Sequence, residues 1–269
     1  SKQMITLHNY VYEDYIAKFG KAMGIILAKL QLAAVKKASY VVTCSKSLAK
    51  IYKQRLHQSY DYIRNGVDIE QYTLPNINEK LAIRKELGLP ENAFIWIYTG
   101  QFIERKNIPF LLENYVKKFG NDIHSYMLLL GGGPELNILS KKYADNPRID
   151  FLGSVSNVNY YLKACDAYVS TSKSEGLPNG VLEAMATGLP VILSDIEQHM
   201  EIFEADDKIG FLYRQGNGED LGNRLEQLYH GNVAKAGHEA YTSVHKSFSA
   251  FKMSELYQAA YENVAGKGN

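Results

Sequence analysis

The sequence predicts an α/β fold built on parallel sheet, and three observations predict it. From about Ile83 onward, short strand candidates alternate with helical stretches. Most of those strands are apolar throughout rather than alternating, as expected of parallel strands covered on both faces. All seven prolines sit at or near element boundaries.

In order, the strands of this part are 94–98, 125–130, 149–152, 167–170, 191–193 and 210–213. Helices fill the gaps. Ile108, Leu111, Leu112, Tyr115 and Phe119 form one apolar stripe, and Leu221, Leu225 and Leu228 another. Residues 79–249 therefore read as a complete Rossmann-like domain. Residues 1–78 read as about half of a second one. They offer a strand at 4–8, a long helix over 15–37, a strand at 40–44, a helix at 47–55 and a short strand near 62–63. A final helix, roughly 250–264, lies in the segment 250–269.

Composition sets bounds. Hydrophobic content of 46% and charged content of 22% are those of a soluble globular chain. Two cysteines, Cys44 and Cys165, make neither a disulfide framework nor a metal-ligand cluster. There is no signal-peptide pattern and no run of 18 apolar residues. A cytoplasmic setting is the default expectation. Charge is uneven: residues 1–60 carry ten Lys/Arg against two acids, or +8, and the remainder carries 20 against 27, or −7. Around 11–37, lysines mix with Ile, Leu, Ala and Met. This reads as a basic amphipathic helix suited to peripheral contact with an anionic membrane face. The plain alternative is a solvated face on a core helix. No nucleic-acid partner is expected.

The stretch SKSEGLPNGVLEAMATGLPVILSD, residues 172–195, says most about chemistry. Glu175 and Glu183 bracket a turn, Gly176-Leu177-Pro178-Asn179, and the start of a helix. Amides at a helix start bind phosphate, and carboxylates accept hydroxyl protons. The combination suits a sugar nucleotide. The spacing alone is weak, because a chain with 18 glutamates produces it by chance. Arg105 and Lys106 precede a helix that starts near Asn107, and so place two cations beside further helix-start amides. Gly131-Gly132-Gly133-Pro134 follows a strand and allows close backbone approach to a ligand, or merely a tight turn. Asp-x-Asp, Walker A, the nucleophile elbow and metal-ligand spacings are all missing. No cofactor is expected, and the chemistry should be metal-independent.

Several segments in order carry a wider resemblance: ITLHNY, VVTCSKSLAKIY, IRNGVDIEQY, YTGQFIERKN, LLLGGGPE, IDFLGSVSNVNYYLKACDAYVSTS and the two-glutamate block. The chain resembles the retaining glycosyltransferases of family 4, which have the GT-B architecture. The resemblance spans essentially all 269 residues. It implies transfer of a hexosyl or N-acetylhexosaminyl group from a nucleoside-diphosphate sugar, most simply a UDP-sugar, with retained configuration. The implied acceptor is a glycan or lipid-linked saccharide, such as a growing capsule or other surface glycan. The resemblance further implies that Lys106 binds the diphosphate, Glu183 the ribose hydroxyls and Glu175 the donor sugar. His8 would lie on the acceptor side, with His8, Lys106 and Glu175 as the catalytic set. Gln101 stands where the family usually has arginine, and Arg105 is a candidate to compensate. Gly132, Gly153, Ser154, Leu177, Asn179 and Gly180 complete the implied donor site. Family members carry further strands upstream, so the chain reads as N-terminally truncated, with an incomplete first domain suited to dimerisation or to a protein partner. The last helix is expected to cross back onto that first domain. Rival readings are an epimerase or hydrolase of nucleotide sugars, or a non-catalytic binding subunit.

Overall fold

A computed structural model describes residues 2–266. The chain divides into two compact units. The first comprises residues 1–66, 175–178 and 248–269, and the second 67–174 and 179–247.

The first unit holds a three-stranded parallel sheet in the order β1 (Met4–Leu7), β2 (Tyr40–Thr43), β3 (Asp61–Tyr62). Two helices, α1 (Val11–Phe19) and α2 (Lys21–Val35), lie between β1 and β2, and α3 (Lys46–Leu56) follows β2. Ser45 caps α3 by accepting from the Leu48 amide at 3.1 Å.

The expected single helix over 15–37 is corrected here: Gly20 divides it. Gly20 has φ of 76°, a left-handed conformation that closes α1 and that glycine adopts without a side-chain clash. The two helices pack on each other at Gly24, where a β-carbon would lie 2.6 Å from the backbone of Ile16. The helix α2 buries Gly24, Ala28, Leu32 and Val35 on one face. Its opposite face is also apolar, with Met23, Ile26 and Leu30 exposed by 52%, 54% and 63%.

In the second unit, α4 (Ile77–Glu86) leads into a six-stranded parallel sheet. Its strands are β4 (Phe94–Thr99), β5 (Ser125–Leu130), β6 (Ile149–Gly153), β7 (Ala167–Ser170), β8 (Val191–Ser194) and β9 (Gly210–Tyr213). The helices between them are α5 (Ile108–Phe119), α6 (Leu136–Lys142), α7 (Val158–Ala164), α8 (Asn179–Ala186) and α9 (Glu197–Phe203). After β9 come α10 (Gly218–Tyr229) and α11 (Val233–Ser247). Strand order is β6-β5-β4-β7-β8-β9, so the winding direction reverses between β4 and β7. Such a switch point opens a crevice at the carboxyl ends of the strands. The core beneath is made by Trp96, Tyr98, Leu111, Tyr115, Met127, Leu129, Val169, Ile192, Leu221 and Leu225, all essentially buried. Both apolar stripes seen in the sequence, on α5 and α10, contribute to it.

The division between units falls at Gly66–Val67 rather than near 78, because 67–78 belongs with the second unit. Val67 is buried, and a β-carbon on Gly188 would strike the Leu74 side chain at 2.1 Å. At the other end of α4, Arg84 is nearly buried. It donates to Asp166 Oδ2 at 2.6 Å and to the carbonyls of Ala164, Glu91 and Ala93. Lys80 reaches Asp166 Oδ1, also at 2.6 Å. The last helix, α12 (Ala250–Gly266), belongs to the first unit. Its Tyr257 hydroxyl meets Thr6 Oγ1 at 3.1 Å, and Ala260 joins Val42 and Ile63 in a small core.

Candidate functional site

In the first unit, the end of β1 and the segment 175–178 come together. His8 directly follows β1 and is exposed, while its carbonyl accepts from the buried Cys44 thiol at 3.4 Å. A β-carbon on Gly176 would lie 1.9 Å from that same carbonyl oxygen, so only glycine fits. Ser45 Oγ donates to the Gly176 carbonyl at 2.9 Å, and Asn65 Nδ2 to the Leu177 carbonyl at 3.1 Å. Ser45 thus caps α3 and anchors this loop with one hydroxyl. Glu175 is 8% exposed and Leu177 is buried. Two residues far apart in sequence, His8 and Glu175, therefore share one rigidly held corner. Leu177 contributes a buried side chain and an already occupied carbonyl.

In the second unit, the remaining predicted residues gather at the carboxyl ends of the strands. Gln101 follows β4, Gly132 follows β5, and Gly153-Ser154 ends β6. The glycine run is explained first by packing. A β-carbon on Gly131 would sit 1.7 Å from the Gly100 carbonyl oxygen, and one on Gly133 would sit 2.5 Å from that of Phe102. Backbone bonds tie the loops together: Phe102 to Gly132 at 2.8 Å and Gly131 to Gly153 at 2.7 Å. Gly132 faces Ser154, whose Oγ lies 2.9 Å from where a β-carbon would be.

Across the switch point, α8 begins at Asn179, which is exposed. Its second residue, Gly180, abuts the end of β4: a β-carbon would meet Thr99 Oγ1 at 2.8 Å and Tyr168 Oη at 3.0 Å. The missing side chain brings the first turn of α8 against the carboxyl end of the sheet, and helix-start amides of this kind are suited to phosphate. Glu183 lies in the next turn, half-buried. Burial pushes its carboxyl above the usual range, and a hydrogen bond from the Tyr72 phenol partly offsets that shift. Burial first, and then Glu183, push the Tyr72 hydroxyl up to about 12.

Arg105 and Lys106 occupy a short 3-10 turn, Glu104–Lys106, and α5 starts at Ile108 after Asn107 in a left-handed conformation. Arg105 Nη1 donates to the Ser174 carbonyl at 2.6 Å, and the Lys173 amide donates to the Arg105 carbonyl at 2.8 Å. Arg105 is therefore a brace on the irregular segment after β7 that leads into Glu175. Lys106 is half-buried, and its carbonyl accepts from Thr171 Oγ1 at 3.2 Å. Among the described residues, no group of three or more His, Cys, Asp or Glu is placed to hold a metal ion.

Sequence reasoning missed Tyr72 and Ser45. The signal for Tyr72 was present in NGVDIEQY: Asp68 is a turn-forming residue four positions ahead of it.

This arrangement defines a GT-B glycosyltransferase fold. Residues 79–243 match the family described as glycosyl transferases group 1, and the chain belongs to that family. It is 28% identical over 200 residues to the Escherichia coli UDP-Gal:alpha-D-GlcNAc-diphosphoundecaprenol alpha-1,3-galactosyltransferase, covering 71% of this chain and 51% of that protein. The chain spans about half the length of the curated relatives it matches. Among solved structures, it is similar to a sucrose-phosphate synthase from Thermosynechococcus elongatus, with a TM-score of 0.84 and 19% identity over 98% of this chain and 68% of that one. It is also similar to Anabaena HepE in complex with UDP-glucose, with a TM-score of 0.81 and 20% identity over 97% and 72% of the two chains.

Proposed function

We propose that the protein moves a hexosyl or N-acetylhexosaminyl group from a UDP-sugar to a glycan or lipid-linked acceptor, with retention of configuration and without a metal ion. The observation that carries this reading is the first turn of α8, pressed against the end of β4 by Gly180, with Glu183 one turn further on. That pair of features supplies amides for phosphate and a carboxylate for paired hydroxyls, the two halves of a nucleotide.

The leaving nucleoside diphosphate gains negative charge as the glycosyl bond breaks. The α8 amides and the Lys106 ammonium stabilise that charge, the role oriented donors play in transition states. Glu183 accepts both ribose hydroxyls. Gln101, Gly132, Gly153 and Ser154 line the nucleotide's approach at the strand ends, and Asn179 contributes from α8. Glu175 accepts from hydroxyls of the donor sugar, and His8 hydrogen-bonds the sugar or the reacting hydroxyl. Arg105 acts indirectly, by holding Ser174 and hence the approach to Glu175.

The acceptor reading takes support from the lipid-linked substrate in the name of the Escherichia coli relative. It takes further support from the outward ridge of Met23, Ile26 and Leu30 on α2, flanked by Lys21 and Lys29. An apolar ridge with lysines beside it suits a peripheral contact with an anionic cytoplasmic membrane face. No helix among the described residues is long and apolar enough to cross a membrane. Among the described residues β1 pairs with β2 alone, and a protein partner or a second copy on its other side is part of this reading. A radiolabelled UDP-sugar panel with lipid-linked acceptors, assayed with and without EDTA, tests the reading. Product in EDTA supports it, and release of free sugar alone points to a hydrolase.

A further inference from the structure

The turn that carries Lys106 is held by one neighbouring segment. The carbonyls of three successive residues, Arg105, Lys106 and Asn107, all accept from residues 171–173, just past the end of β7. The Lys173 amide donates to the Arg105 carbonyl at 2.8 Å. The Thr171 hydroxyl donates to the other two, at 3.2 Å to Lys106 and 3.0 Å to Asn107. A hydroxyl has one proton, so this is a single three-centre bond shared between adjacent carbonyls.

The anchor is firmly placed. Thr171 is fully buried, and β7 lies inside the sheet, between β4 and β8. The next carbonyl along, that of Ser172, accepts from Ser194 Oγ at the end of β8, at 2.6 Å. The turn has weaker means of its own. Within it, the Lys106 amide donates to the Ile103 carbonyl at 2.8 Å and the Asn107 amide to the Glu104 carbonyl at 3.1 Å. Asn107 then adopts φ of 56°, a left-handed conformation that is costly for most residues with a side chain. The two carbonyls that Thr171 grips belong to the peptide units on either side of the Asn107 α-carbon. One hydroxyl therefore fixes that conformation, and with it the junction between the Lys106 turn and α5.

We propose that Thr171 is a positioning residue for diphosphate binding: its buried hydroxyl, shared between the Lys106 and Asn107 carbonyls, fixes the turn from which Lys106 meets the diphosphate of the donor. This rests on the diphosphate role given to Lys106 above. Thr171 itself touches no substrate.

The test compares binding of UDP and of uridine by calorimetry, using the whole chain as wild type, Thr171→Val, Thr171→Ser, Lys106→Ala and the double variant Thr171→Val with Lys106→Ala. Wild type should prefer UDP, and Lys106→Ala should shrink that preference. Thr171→Val keeps the shape of the side chain without its hydroxyl. It should shrink the preference by roughly three- to tenfold, the scale for losing one hydrogen bond, with uridine affinity unchanged. Thr171→Ser keeps the hydroxyl and should keep the preference. In the Lys106→Ala background, Thr171→Val should shrink the preference no further, because positioning acts only through the lysine. A Thr171→Val protein with the full preference, or one weakened equally toward UDP and uridine, overturns the role of Thr171. So does an effect of Thr171→Val that persists in full without Lys106. Should Thr171→Val not fold, Thr171→Ala is read in its place. If Lys106→Ala keeps the full preference, the diphosphate assignment itself fails, and the role of Thr171 falls with it.

Discussion

Gly176 lies so close to His8 that a β-carbon on it would sit 1.9 Å from the His8 carbonyl oxygen. The glycine in the turn between the two glutamates is thus a packing requirement set by a strand at the other end of the chain. Gly176→Ala must push Glu175 and His8 apart. Because a misplacement of about 1 Å can cost roughly 10²-fold in rate, turnover should fall by about that much. UDP affinity should change little. Steady-state kinetics alongside calorimetry would separate the two effects, and unchanged turnover would count against the pairing of His8 with Glu175.

Lys106 and Arg105 should behave differently despite being neighbours. Lys106→Ala should reduce turnover by on the order of 10²-fold, the scale for losing one transition-state donor. Arg105→Ala removes a charged donor from the Ser174 carbonyl and should destabilise the protein by about 1.5–3 kcal/mol. Thermal melts and kinetics on both variants would show the split. A stable Arg105→Ala protein with Lys106-like kinetics would reassign the diphosphate role.

Binding should be sensitive to mild acid. Burial holds the Glu183 carboxyl above its ordinary range, and only the ionised form accepts two hydroxyls. The raised value means that Glu183 takes up its proton at higher pH than an exposed glutamate does. UDP affinity should therefore be full at neutral pH and fall as pH drops, beginning above the usual glutamate range. The same shift makes ionised Glu183 a cost to folding at neutral pH, relieved as pH falls through the raised value. Calorimetric titrations across pH 4–8 give the binding profile, which Glu183→Gln should flatten.

The exposed ridge of α2 gives a separate expectation. Replacing Met23, Ile26 and Leu30 together by Ser should leave folding intact, since all three are more than half exposed. Flotation with vesicles rich in anionic lipid should lose the wild-type association. Retained flotation would place the membrane contact elsewhere or remove it.

Much of this was legible in the sequence. The apolar runs at 94–98 and 125–130 read as buried parallel strands, and β4 and β5 lie there. Helix stripes such as Leu221, Leu225 and Leu228 face the core as their spacing requires. What failed had local physical causes. Gly20 was overlooked as a helix terminator because the residues on either side are equally good helix formers. The bond from Arg105 to the Ser174 carbonyl leaves no trace in sequence. The close approach of Gly131 and Gly133 to carbonyls of neighbouring loops likewise shows only in the fold. The contact between Tyr72 and Glu183 joins positions distant in sequence, and only the folded chain brings them together.

The most direct test of the central claim is calorimetric titration of the protein with UDP in the presence of EDTA. The arrangement of the α8 amides, Lys106 and Glu183 predicts saturable binding that persists in EDTA and is lost in Glu183→Ala. Absence of binding, binding that requires a divalent metal, or an unchanged affinity in Glu183→Ala would contradict it.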